Sequence, residues 1–305
     1  MILGIKTGPK NWEDGKAAIL EDSAAMSEIW FNIHNESHYD DMLVWLQEHD
    51  VAIGLHHWGV VEEKYKTNLM TNNESVRHET IEQIQRTIDI ASTLKRPAYV
   101  NAHPGSRYLE TLNLDTAAQE LVKDSRTPDD ESDELFFQSV QYLQEYAASK
   151  NIVLTIETLP AAEARLEENR SDIYIPDNAP LSLMKRMTQE GWYIANDITH
   201  TAAQLAMENP TPAVMWEKLY AFSRAVAPAT RLIHLNTVTP PYNGTDSHTG
   251  ITEDDFRQTV FPSRDQLKEL LHIFKDREDV YVVPEPQTNA TRANFKALTQ
   301  LVSEL

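Results

Sequence analysis

Short apolar runs alternate with amphipathic stretches along all 305 residues of the chain. Eight runs read as strands: Ile2–Lys6, Glu28–Ile33, Val51–His56, Ala98–Ala102, Ile152–Glu157, Trp192–Asp197, Leu232–Asn236 and Val280–Glu285. Several, such as IVLTIE and VYVV, are continuous rather than alternating. That is the pattern of parallel strands covered on both faces. Helices are expected between them at Trp12–Met26, Asp40–His49, Ser75–Lys95, Leu135–Ser149, Leu181–Glu190, about 213–227, Asp265–Lys275 and Thr291–Leu305. Within Ser75–Lys95, Ile81, Ile84, Ile88, Ala91 and Leu94 form one apolar stripe at helical spacing. The acidic stretch from Asp129 to Glu134 reads as the solvated approach to a helix N-terminus, where negative charge is favoured.

Eight strand–helix repeats predict an α/β protein, a closed (β/α)8 TIM barrel, with residues 1–305 as one domain. The rival is an open, doubly wound sheet, which would carry a glycine-rich phosphate turn after an early strand. The 9 glycines nowhere form G-x-G-x-x-G or a P-loop. Three connections are long, at 104–133, 158–180 and 237–264. Long βα loops belong on the catalytic face of a barrel.

Composition narrows the function classes. There are 47 Asp and Glu against 27 Lys and Arg, a formal charge of −20. Such a surface repels nucleic acid and anionic membranes at long range, so a small-molecule partner is expected. Cysteine is absent, which removes disulfides, thiolate nucleophiles and Cys-ligated metal sites. Together with the lack of a signal-like start or a long apolar span, this leads us to expect a cytoplasmic protein.

The positions of the histidines and carboxylates carry the chemistry. Strand three ends in His56-His57, and strand four runs into Asn101-Ala102-His103-Pro104-Gly105. Strand five ends at Glu157, and strand six gives Asp197-Ile198-Thr199-His200. Strand seven carries His234, its loop holds Asp246-Ser247-His248, and strand eight ends at Glu285. Any one of these alone is an ordinary strand-end residue. In a barrel they converge on one mouth, where carboxylates resist desolvation unless a cation joins them. Imidazole with carboxylate is a ligand set for Zn²⁺, Mn²⁺ or Fe²⁺.

In these motifs the chain resembles the xylose-isomerase-like TIM-barrel superfamily, and within it is most similar to endonuclease IV, the zinc-dependent abasic-site nuclease (apurinic/apyrimidinic endonuclease family 2). The resemblance implies nine metal ligands, matched here by His56 (or His57), His103, Glu157, Asp197, His200, His234, Asp246, His248 and Glu285. It implies up to three ions, Zn²⁺ foremost: one near His56, His103 and Glu157, one shared by Glu157, Asp197, His234 and Glu285, and one at His200, Asp246 and His248. The chain departs from that family where Thr158 and Ser247 replace the usual Asn and Arg, and where no Arg-bearing segment follows strand two. Instead that loop reads His34-Asn35-Glu36-Ser37-His38, expected as a solvated histidine pair. With −20 charge, duplex DNA is not the expected substrate.

The first expectation is therefore a multi-metal hydrolase of a phosphoester or small anion, with Glu157 bridging metals and orienting the nucleophile. The alternative is a single-metal sugar isomerase or epimerase. For such members of the superfamily the resemblance implies Glu157, Asp197, His234 and Glu285 as the metal quartet. Glu157 and Glu285 would exchange a proton beside a carbonyl, and His200 would contact substrate. A metal-stabilised binding module is the non-enzymatic third. Arg107 is a candidate anion contact or a plain surface arginine, and Trp58, Tyr108 and Tyr242 are candidate pocket walls. Neither G-x-S-x-G nor His-Glu-x-x-His occurs.

Overall fold

The computed structural model describes residues 1–113, 119–164, 173–208, 210–288 and 290–305. Parts of two expected long loops, at 104–133 and 158–180, lie outside them. Eight parallel strands close into a barrel: β1 (Ile2–Thr7), β2 (Met26–Asn32), β3 (Ala52–Trp58), β4 (Pro97–Ala102), β5 (Leu154–Glu157), β6 (Tyr193–Asp197), β7 (Thr230–His234) and β8 (Tyr281–Val283). Each pairs with its neighbours in sequence, and β8 closes on β1 through Ile2↔Tyr281 and Leu3↔Val282. This is the TIM barrel expected from the eight repeats.

Side chains alternate across each strand, so residues two apart share a face. The inward face starts with an apolar floor that includes Met26, Tyr99, Ala195, Leu232 and Val283, all buried together. Gly4 and Gly54 belong to this floor. A Cβ on Gly54 would lie 2.7 Å from Tyr99 Cζ and 2.8 Å from Met26 Cε, so the large neighbours use the space that glycine leaves. Two residues further on, every one of these positions becomes polar. Gly4 leads to Lys6, Met26 to Glu28, Gly54 to His56 and Tyr99 to Asn101. Ala195 leads to Asp197, Leu232 to His234 and Val283 to Glu285. The outward faces bury Ile, Leu and Val against the helices, as in Ile53, Leu55, Ile84 and Ile88.

The helices are α1 (Trp12–Asp22), α2 (Asp40–Glu48), α3 (Glu74–Ser92), α4 (Asp129–Ser149), α5 (Leu181–Glu190), α6 (Ile198–Ala206), α7 (Pro212–Val226), α8 (Glu253–Phe256), α9 (Arg264–His272) and α10 (Thr291–Ser303). Of four differences from the sequence reading, the first three have local causes. Helix α1 stops at Asp22 because Ser23 turns left-handed, with φ 62°. The acidic run begins α4 rather than preceding it, with Asp129, Asp130 and Glu131 in the first turn facing the helix dipole. Helix α6 starts directly at the end of β6, because Asp197 caps it by accepting from His200 N at 2.8 Å. Finally, Val60–Val61, Tyr65–Lys66, Glu110–Leu112 and Gln119–Leu121 form a small antiparallel sheet where plain loop was expected. No described helix is long and apolar enough to cross a membrane.

Gly54→Ala is expected to cost about 1–3 kcal/mol, because the added methyl overpacks the floor. Urea denaturation reads this as a lower midpoint at unchanged slope, and an unaltered midpoint would contradict the packing described.

Candidate metal centre

The polar layer above the floor is the mouth of the barrel. Its geometry is set by strand alternation, and that settles the position of the two adjacent histidines. His56 points inward and is fully buried. His57 points the other way, with Nδ1 2.9 Å from Thr87 Oγ1 on α3. Burial pushes the His57 pKa down to about 3, which keeps the ring neutral.

His234 sits at the hub. Its Nδ1 lies 2.9 Å from Glu285 Oε2, 3.2 Å from Glu157 Oε1 and 3.6 Å from Asp197 Oδ2. Its Nε2 lies 2.7 Å from Glu28 Oε2. Beside this quartet, His56 Nε2 is 3.1 Å from His103 Nε2 and 3.5 Å from Glu157 Oε2. On the opposite flank, His200 Nε2 and His248 Nε2 are 3.1 Å apart, and Asp246 Oδ1 lies 2.9 Å from His248. All nine sequence-predicted residues therefore gather in one contiguous cluster, with His56 rather than His57.

Four groups in the cluster have ligand atoms within 4.8 Å of one another: Glu28–His56–His234, His56–His103–Glu157, Asp197–His200–His248 and Glu157–Asp197–His234–Glu285. The donor chemistry fits a divalent ion. Asp197 Oδ2, Glu285 Oε2 and Asp246 Oδ1 are buried without a hydrogen bond, as oxygens awaiting a cation would be. The ring orientations fit as well. His200 Nδ1 and His248 Nδ1 contact the backbone oxygens of Thr158 and Glu285 at 2.7 and 3.0 Å. Donating there turns each Nε2 toward Asp246, as an outer-shell carbonyl orients a ligating imidazole.

Three functional residues were not assigned from sequence. Lys6 reaches Glu285 Oε1 at 2.8 Å, and Glu28 receives His234. Asn101 Nδ2 donates to Glu157 Oε2. The signal for all three was the period of two: each stands one inward step above an apolar or glycine position.

Electrostatics follow from burial. Desolvation alone would push Glu157 up and His234 down. The neighbouring charges win on both sides. The His234 charge, with hydrogen bonds from His200 and His234, holds Glu157 well below the usual carboxylate range. Glu28, Glu285 and Glu157 hold His234 well above the usual imidazole range. His200 is likewise raised, by Asp197 and Asp246, and His248 is pushed up to about 9 by Asp246 and Asp197. His103 goes the other way, down to about 3, because its burial outweighs the Glu157 charge.

Two cavities open beside the layer. One of about 190 Å³ reaches His103, His200 and Asp246 and is walled by Trp30 and Trp58. The second, of about 480 Å³, shares those two indoles and reaches Lys6, Asn11 and Glu285. Of the expected walls, Trp58 lines both, Tyr108 lines neither, and Tyr242 faces a separate small cleft and packs against Phe261. Arg107 is neither an anion contact nor a surface residue. It is buried among Asp129, Asp133 and Asp177, with contacts of 3.4, 2.9 and 3.3 Å, and ties the 104–133 loop to the next one. His34 and His38 are exposed in a 3₁₀ helix, Ile33–Tyr39, with His34 Nε2 2.8 Å from Val60 O.

A barrel with this polar rim has known relatives. The sequence family described as xylose isomerase-like TIM barrel matches residues 21–301. The chain belongs to that family. Comparison with curated proteins yields no match. Among solved structures, a D-tagatose 3-epimerase-like protein is 17% identical, with a TM-score of 0.64 over 100% of this chain and 97% of the other. The 3-keto-D-glucoside 4-epimerase YcjR from E. coli is 16% identical, with a TM-score of 0.62 over 99% of both chains. The IOLI protein, with a zinc atom bound, is 13% identical, with a TM-score of 0.63 over 100% and 99%. At these identities the likeness is one of fold.

Because a ligating imidazole must be neutral, ion uptake has to displace the protons that His234, His200 and His248 hold. Affinity for Zn²⁺ or Mn²⁺ should therefore rise with pH until His248 has lost its proton, at about 9. Calorimetry in buffers of different ionisation enthalpy should show net proton release. PH-independent binding without proton release would refute the protonation pattern.

Proposed function

We propose that this protein is a metal-dependent epimerase or isomerase of a small sugar, moving a proton at the carbon beside a carbonyl. The observation that carries this reading is the quartet Glu157, Asp197, His234 and Glu285, whose ligand atoms converge within 4.8 Å. The sugar epimerases among the similarly folded proteins support it. This favours the sugar reading over the hydrolase that the nine-ligand resemblance placed first.

A divalent ion held by the quartet would polarise a carbonyl and its neighbouring hydroxyl, which acidifies the C–H bond between them. The protein's own part lies in the two glutamates. Glu157 is anchored through Oε2 by Asn101, and Glu285 through Oε1 by Lys6. Each turns its other oxygen to the centre, 3.2 and 2.9 Å from His234 Nδ1. One carboxylate takes the proton and the other returns one, either to the opposite face of the same carbon, which inverts it, or to the former carbonyl carbon, which shifts the carbonyl. His200 faces the smaller cavity and would hold a substrate hydroxyl, and Trp30 and Trp58 offer apolar walls to the sugar ring. The modest cavity and the −20 charge both suit a small neutral substrate better than duplex DNA.

One observation favours a second reading. His200 and His248 turn their Nε2 atoms to Asp246 as a further ligand set, so that the rim could carry more than one ion, as a phosphoester hydrolase would need.

Incubation with ketoses in D₂O, with Mn²⁺, Zn²⁺, Co²⁺ or Mg²⁺ supplied, separates the two. The epimerase reading expects solvent deuterium at the altered carbon. Phosphate release from phosphoesters with no such exchange would overturn it. Glu157→Gln should lower metal occupancy and reduce kcat by about 10²-fold or more while the circular dichroism spectrum stays native. Full occupancy in that variant would remove Glu157 from the quartet.

A further inference from the structure

We propose that the Lys6 ammonium is a resident cation of this centre: it sits among Glu28, His56 and Glu285, against the Glu28–His56–His234 group, and it keeps His56 from coordinating metal. The inference rests on the reading of the quartet as the metal site, and concerns the flank that carries His56 and His103.

Lys6 Nζ has three acceptors around it for its three protons: His56 Nδ1 at 2.5 Å, Glu285 Oε1 at 2.8 Å and Glu28 Oε1 at 3.4 Å. Trp30 closes the remaining side, with its ring centre 4.9 Å away. A neutral imidazole has one donor and one acceptor nitrogen. Glu28 Oε1 also lies 3.2 Å from His56 Nδ1, but a proton on that nitrogen would face the ammonium at 2.5 Å. Lys6 therefore makes Nδ1 the acceptor. The ring proton sits on Nε2, directed at His103 Nε2 at 3.1 Å and Glu157 Oε2 at 3.5 Å. An Nε2 that carries a proton has no lone pair for metal.

His234 shows the reverse arrangement in the same layer. Its Nε2 meets Glu28 Oε2 at 2.7 Å, which holds one ring proton there, so that the proton an ion displaces is the one on Nδ1, the atom that faces Glu157, Asp197 and Glu285. A carboxylate behind an imidazole makes it a ligand, as outer-shell carboxylates do. An ammonium behind it does the opposite. Glu28 thus primes His234, and Lys6 withdraws His56. Both histidine-containing groups on this flank, Glu28–His56–His234 and His56–His103–Glu157, then stay without a divalent ion while Lys6 is present.

Crystals of the protein soaked in Zn²⁺ or Mn²⁺ test this through anomalous scattering. The wild type should show a peak within the Glu157–Asp197–His234–Glu285 ring and none between His56 and His103. Lys6→Met should add a peak between His56 and His103. A wild-type peak on His56 overturns the proposal, as does a Lys6→Met crystal with a filled quartet and a bare His56 flank. A bare quartet in the wild type counts instead against the metal reading itself. An independent measurement on the unaltered protein, long-range ¹H–¹⁵N correlation of His56, should report the Nε2–H tautomer. The Nδ1–H tautomer would overturn the role given to Lys6 whatever the variant does.

Discussion

Burying several carboxylates side by side is the constraint on which the rest of this molecule turns. Glu28, Glu157 and Asp197 are fully buried, and Glu285 and Asp246 complete the cluster at its edge. Each pays a desolvation cost that only hydrogen bonds and positive charge offset. Within the protein Lys6 contributes one fixed positive charge, and His200, His234 and His248 contribute others only by keeping protons. A divalent ion relieves the same repulsion without protonating the imidazoles. These residues could thus hold either protons or a divalent ion, and they make chemical sense as a set.

Much of this was legible in the sequence, because a barrel converts linear periodicity into radial position. The strand runs IVLTIE and VYVV mark strands covered on both faces, and their polar last residues fall at the rim. Each member of the quartet then comes from a different strand end, so convergence follows from closure of the barrel and needs no long-range information. The choice between His56 and His57 was open only while strand register was open. One step along β3 carries a side chain from the interior to Thr87 of α3. Lys6 and Glu28 obey the same alternation, but Glu28 stands at the start of the expected strand Glu28–Ile33 and Lys6 is the lone cation at the end of Ile2–Lys6, so neither resembles a rim ligand in the sequence.

What was not legible depends on contacts distant in sequence. The small sheet over the mouth joins two-residue strands at 60–66 to segments near 110 and 120, too short to leave a period. Arg107 read as an anion contact or a surface arginine because its partners, Asp129, Asp133 and Asp177, come from a helix start and another loop. Helix α6 was hidden by its position. Asp197 ends a strand, caps a helix and faces His234, so no linker residues separate β6 from α6. The functional weighting also shifted for a physical reason. Nine ligand-type residues suggest three ions, but four of them, Glu157, Asp197, His234 and Glu285, already bring their ligand atoms within 4.8 Å of one another, the set a single ion needs.

Native mass spectrometry of the protein after exhaustive dialysis tests the central claim most directly. The account predicts a retained divalent ion whose removal by chelator lowers the melting temperature, since an ion bound only by the folded state stabilises it. A chain that carries no ion even after Zn²⁺ or Mn²⁺ is supplied, and melts identically with and without chelator, would contradict it.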